Sequence, residues 1–178
     1  MKAVTLTAPY GTLIAIAATR PGLGKRIETR SWSTNYRGPL AIHQAKGAGD
    51  FGSFKAIRDL CGTQPFFNTL MHIVPDYNDY CDRNAIFEQL PLGAIVATCE
   101  LHDCVPTRQN WHQEETPWLI CADAKSTAVW HVPPPEPERS FGDYAPGRYA
   151  WLLANIRALE TPIPCKGALG LWNYEGTL

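Results

Sequence analysis

The 178-residue chain has no apolar run near the ~18 residues that a membrane-crossing helix needs, and its longest, Gly11 to Ala18, is far shorter. Only Lys2 precedes that run, Pro9 interrupts the approach, and a basic segment follows. It therefore does not read as a signal peptide, no membrane partner is expected, and the cytoplasm is the expected location. The six cysteines (Cys61, Cys81, Cys99, Cys104, Cys121 and Cys165) form no CxxC pair and no zinc-ribbon spacing. They read as reduced, mostly buried thiols rather than as a disulfide framework or a metal site. Internal repeats are absent. Charged residues are sparse, at 19%, and the net charge of −1 taken alone argues against a nucleic-acid partner.

What is present changes that first impression. Residues 1–58 carry nine Lys or Arg against two acids, a net of +7, whereas residues 59–178 carry a net of −8. Such asymmetry points to a basic surface facing an anionic partner, with charges scattered over the folded surface as the plainer alternative. Fifteen prolines and fourteen glycines favour a loop-rich or β-rich fold over a helical bundle. A chain of this length can bury roughly 70% of its unfolded surface and needs no metal or disulfide to hold a core.

Lys2 to Leu6 reads as a short strand. Thr7 is the expected cap of a helix through Leu13, Ile14 and Ala17, which Pro21-Gly22 ends. Arg26 to Trp32 and Pro39 to Gln44 read as strands joined by the turn Asn35 to Gly38, hence as a hairpin. Short helices are expected across residues 47–91, beginning with one capped by Asp50. The clearest strand is Ala94 to Cys104, with Ile95, Ala97, Cys99 and Leu101 on the core face. Residues 105–147 read as irregular, with the proline run at 133–137 in an exposed loop and Trp111, Trp118 and Trp130 pinning the segment down. Arg148 to Ile156 reads as a strand, and Leu171-Trp172 as a closing one. The sum is an α+β fold: a small β-barrel with an N-terminal helix and a helical insertion.

The densest chemistry lies in Lys25-Arg26-Ile27-Glu28-Thr29-Arg30-Ser31-Trp32. On an extended strand Arg26, Glu28, Arg30 and Trp32 share one side. Arg can fork to a phosphate or carboxylate, Lys supplies a point charge, and Trp offers a stacking face. The competing reading is a surface salt-bridge ladder, worth little in stability. Farther on, Val96, Thr98, Glu100 and His102 share the other face of their strand; Glu100 and His102 suit acid–base work or simply a solvent-facing edge. Cys99 points away from His102 and Cys104, so no metal site is expected there. His43 reads equally well as a cleft residue or a satisfied core histidine.

The run Lys25 to Trp32 resembles the signature of the activating signal cointegrator homology (ASCH) family, whose barrel is similar to the PUA domain. The resemblance continues through Tyr36 to His43, Leu92 to Ala97, Phe141 to Tyr144, Gly147 to Trp151, Lys166-Gly167 and Leu171-Trp172, roughly half of the chain. It implies one PUA-like domain over residues 1–178 with insertions at about 47–91 and 105–140. It also implies binding of RNA or another single-stranded nucleic acid, with RNA processing as an extension, in a basic cleft. Ligand contacts would then come from Arg26, Arg30, Trp32, Arg37, His43, Lys46, Tyr144 and Arg148. Similar bacterial amidohydrolases remove an acetyl group from acetylated cytidine using this Lys and a hydroxyl three residues later, where this chain has Glu28. The alternative is therefore a hydrolase of a modified nucleoside such as N4-acetylcytidine, with Lys25 as cation or nucleophile and Glu28 or Glu100 as base. A third reading is a non-catalytic protein-interaction module built on the two insertions. No cofactor is expected, and a divalent metal enters only if the activity is that of a nuclease.

Overall fold

The computed structural model describes residues 1–75, 81–109, 117–122, 129–132 and 134–177, with side chains left undescribed from 109 to 133. Its strands are β1 (Lys2–Leu6), β2 (Ile27–Arg30), β3 (Gly38–Gln44), β4 (Ala94–Gln109), β5 (Pro117–Ala122), β6 (Val129–Val132), β7 (Tyr149–Pro164) and β8 (Leu171–Asn173). Its α-helices are α1 (Tyr10–Thr19), α2 (Phe54–Cys61), α3 (Phe66–Leu70) and α4 (Arg83–Glu88). The fold is α+β. Among the described residues no helix is long and apolar enough to cross a membrane.

Six strands run in the order β2-β7-β4-β3-β1-β8. The sheet is mixed, since β1 pairs parallel with β3 and antiparallel with β8. Its end strands β2 and β8 have four and three residues and do not close the path, so the sheet is open and the expected barrel is not formed. The expected hairpin is also absent: β2 pairs with β7 and β3 pairs with β1. The turn at Asn35 to Gly38 separates strands that find different partners.

The chain forms two compact units: one of Met1–Lys25, Pro39–Cys99 and Asn155–Leu178, the other of Arg26–Gly38 and Glu100–Ala154. Strands β4 and β7 each contribute residues to both. The passage of β7 from one to the other falls at Asn155, whose φ of 50° makes it the one non-glycine with positive φ among the described residues. Asn tolerates that left-handed backbone better than most residues.

In the first unit α1 is apolar on several sides, and Leu13, Ile14, Ile16 and Ala17 are buried. Its N-terminus is satisfied from β3: the Gln44 side-chain oxygen accepts from the backbone N–H and the hydroxyl of Thr12, both at 2.9 Å. Thr7 does not cap the helix by its side chain; Pro9 occupies the cap position. A second cluster joins Ala3, Ala41, Ile95 and Tyr174. The expected helical excursion is present as α2, α3 and α4. Ser53, not Asp50, caps α2 by accepting from the Ala56 N–H, and Asp82 caps α4. Ile57, Cys61, Leu70 and Ile86 pack beneath, where burial pushes the Cys61 thiol up to about 11.

In the second unit Val105, Tyr144 and Ala150 form the core with Ile27 and Leu152. The stretch expected to be irregular from residue 105 is substantially β. Strand β4 runs on through Pro106 to Gln109, pairs antiparallel with β5, and β5 pairs antiparallel with β6. Trp111 lies outside the described residues, as do the side chains of Trp118 and Trp130. The alternation read for the first part of β4 holds: Ile95, Ala97, Cys99 and Leu101 are buried, while Glu100 and His102 are exposed.

Candidate functional site

The residues singled out by the sequence are distributed over both units. In the second unit, Glu28 lies opposite Trp151 in the β2–β7 register, which puts both side chains on one sheet face. Arg30, two residues on, shares that face, and its Nε stands 3.1 Å from the Glu28 carboxylate. Trp32 packs edge-on against Trp151, with ring centroids 4.8 Å apart. Glu28 is buried, Arg30 and Trp32 are half-buried and Arg26 is exposed. Alternation thus delivers the carboxylate and guanidinium to one face, and Trp32, beyond the end of β2, joins that side through its contact with Trp151.

The opposite face of β2 looks into the core. The Thr29 hydroxyl accepts the Asp143 N–H at 3.0 Å, and a Cβ at Gly142 would come within 2.7 Å of the Tyr144 ring. Tyr144 is buried there, and its hydroxyl donates to Glu138 at 3.3 Å. Burial first, then the adjacent Glu138 carboxylate, push the Tyr144 hydroxyl far above its ordinary range, so it stays protonated and donates. Glu138 also accepts the backbone N–H groups of Arg26 and Ile27. Sequence reading missed this buried carboxylate, because a lone Glu just after a proline run carries no local signal.

Two further arginines of this unit are engaged. Arg37 reaches Asp103 at 2.7 Å and also donates to the carbonyls of Thr34 and Tyr36. Arg148 stands 3.2 Å from Asp143. Glu100 is exposed on β4.

In the first unit, Lys25 is almost wholly buried at 1% exposure, with its Nζ 5.6 Å above the centre of the Tyr10 ring. Its backbone N–H donates to the Leu13 carbonyl at 2.9 Å. The preceding Gly24 permits this approach: a Cβ there would overlap the backbone nitrogen of Ala17 and come within 2.6 Å of the Leu13 carbonyl oxygen.

His43 and Lys46 lie elsewhere in the same unit, at the end of β3, lining a cavity of roughly 710 Å³ with Thr5, Cys165, Lys166 and Gly167. Backbone bonds fix its floor: the Gly93 N–H donates to Gln44 and the Cys165 N–H donates to Gly93. Among the described residues no group of three or more His, Cys, Asp or Glu side chains is arranged to hold a metal ion. Compared with known proteins, the chain matches no protein-family model and no curated sequence.

Proposed function

We propose that the β2 face of the second unit recognises single-stranded RNA, with Trp32 as the stacking platform. The observation that carries this reading is the placement of Trp32: half-buried, braced edge-on by Trp151, and on the face that also holds Arg30. A braced indole accepts any base on its open surface, and a neighbouring guanidinium meets the backbone phosphate. Exposed Arg26 adds charge at the start of the same strand. The motif resemblance to ASCH proteins supports the same conclusion. Pairing of Arg30, Arg37 and Arg148 with acids limits the number of phosphates neutralised, so the salt dependence is shallow for a nucleic-acid binder.

The test is fluorescence anisotropy of a labelled single-stranded RNA at low and moderate salt. Trp32→Ala weakens binding about 5- to 150-fold, the range for loss of one stacked base. Absence of binding at low salt overturns the reading. Buried Glu28 beside Arg30 favours a second one, hydrolysis of a modified nucleoside such as N4-acetylcytidine, with Glu28 as general base. Release of acetate from that nucleoside, abolished by Glu28→Gln, would establish it; an inert wild type removes it.

A further inference from the structure

The RNA surface proposed for the second unit carries one group that phosphate binding does not explain. Glu28 shares a face with Arg30, and its carboxylate stands 3.1 Å from the Arg30 Nε. Toward a phosphodiester backbone an acid is repulsive and offsets the guanidinium beside it. Toward a base it is useful, because a carboxylate only accepts hydrogen bonds and so selects for donors.

The carboxylate is confined but not sealed. The Glu28 side chain keeps 11% of its surface exposed and that of Arg30 keeps 24%. Trp151, directly across the β2–β7 register from Glu28, is fully buried. Residues directly opposite on antiparallel strands bring their Cβ atoms within about 5.5 Å. Trp32 stands edge-on to the same Trp151, with 4.8 Å between ring centroids. Trp151 is thus the common neighbour that sets the Glu28 carboxylate beside the Trp32 indole. On the other side of β2, Ile27 packs with Val105, Tyr144 and Ala150, and Thr29 takes the Asp143 N–H. Glu28 and Arg30 are therefore the side chains that β2 offers to a ligand.

Among the four RNA bases, guanine alone places two donors side by side on its Watson–Crick edge, N1–H and the 2-amino group. The two oxygens of one carboxylate can accept that pair together. Adenine and cytosine each set an amino donor next to a ring acceptor, and uracil sets its N–H between two carbonyls. Each of these turns an acceptor toward the carboxylate, which is unfavourable. We propose that the β2 face selects guanine, an inference that rests on the RNA reading above. The base stacks on the open surface of Trp32, its N1–H and 2-amino group donate to Glu28, and Arg30 meets the phosphate.

Anisotropy titrations at low salt with labelled uridine octamers test this, each carrying one central guanosine, adenosine, inosine or 1-methylguanosine, beside the all-uridine octamer. The guanosine octamer should bind about 5- to 150-fold more tightly than the adenosine one, the range for discrimination by one bidentate pair. Inosine keeps N1–H but lacks the 2-amino group and should fall between them. With N1 blocked, 1-methylguanosine should bind no better than adenosine. Glu28→Gln should erase the guanosine preference, while the all-uridine octamer binds at least as tightly as before because a repulsive charge is gone. Trp32→Ala should weaken every octamer. The base series in the unaltered protein needs no variant, so it decides the matter even where Glu28→Gln fails to fold. Octamers that bind without preferring guanosine, 1-methylguanosine equal to guanosine, or a preference that survives Glu28→Gln each overturn guanine selection and leave the RNA surface standing. No binding of any octamer overturns the RNA reading itself, and guanine selection with it.

Discussion

The carboxylate of Glu138 accepts the backbone N–H of Ile27 at 3.1 Å, a bond that joins positions 111 residues apart. It takes the Arg26 N–H and the Tyr144 hydroxyl as well, so one buried side chain satisfies three donors at the start of β2. The strand that carries Glu28 and Arg30 and leads to Trp32 is therefore anchored by a residue outside every motif.

Glu138→Ala strands those donors and should destabilise the protein by roughly 2–4 kcal/mol, since buried donors left unpaired cost their full desolvation. Glu138→Gln keeps an acceptor and should cost clearly less. Urea unfolding of both variants checks the order, and equal losses would mean that packing rather than hydrogen bonding dominates.

Gly24→Ala should cost about 1–3 kcal/mol or more, because the new methyl collides with the backbone of α1 and no side-chain rotation relieves it. Gly22→Ala meets nothing within 4 Å but sits at a φ of 91°, so its smaller cost is conformational. Thermal melts of the pair separate close approach from backbone strain.

Ser53→Ala removes the side-chain acceptor for the Ala56 N–H and should lower stability by about 1 kcal/mol. Ser53→Asp keeps a capping oxygen and should retain most of the wild-type value. Denaturant midpoints of the two variants test the cap directly.

His43 gives stability a pH dependence with a definite sign. Burial lowers its folded-state value below the ordinary 6.5, so below that pH the unfolded chain binds a proton that the folded chain resists. Its contribution is fully present above 6.5 and is lost as pH falls toward the depressed value. Unfolding free energies at several pH values should show this fall in the wild type and a flatter profile in His43→Gln.

Arg26→Ala should weaken RNA binding about equally across sequences and flatten the dependence of log affinity on log salt by about one unit. Trp32→Ala should weaken binding with the slope nearly unchanged. Anisotropy titrations at four salt concentrations distinguish a phosphate contact from a stacking one.

Local periodicity determined much of this molecule. Alternation alone placed Ile95, Ala97, Cys99 and Leu101 in the core and Glu100 and His102 outside, because a strand turns successive side chains to opposite faces. It likewise placed Glu28 and Arg30 on one face, where they meet. The first strand, the first helix and the helical excursion followed from spacing and from Gly and Pro punctuation. Pairing was decided otherwise. A turn at Asn35 to Gly38 implied a hairpin, yet β2 joins β7 and β3 joins β1, since a strand takes the edge that best buries its apolar face. The strand expected to end at Cys104 runs on to Gln109. The Glu138 anchor and the close packing of Gly167 on His43 depend on residues more than 100 positions apart. Spacing along the chain encodes which way a side chain points. Which distant backbone or side chain it meets is set only when the sheet assembles.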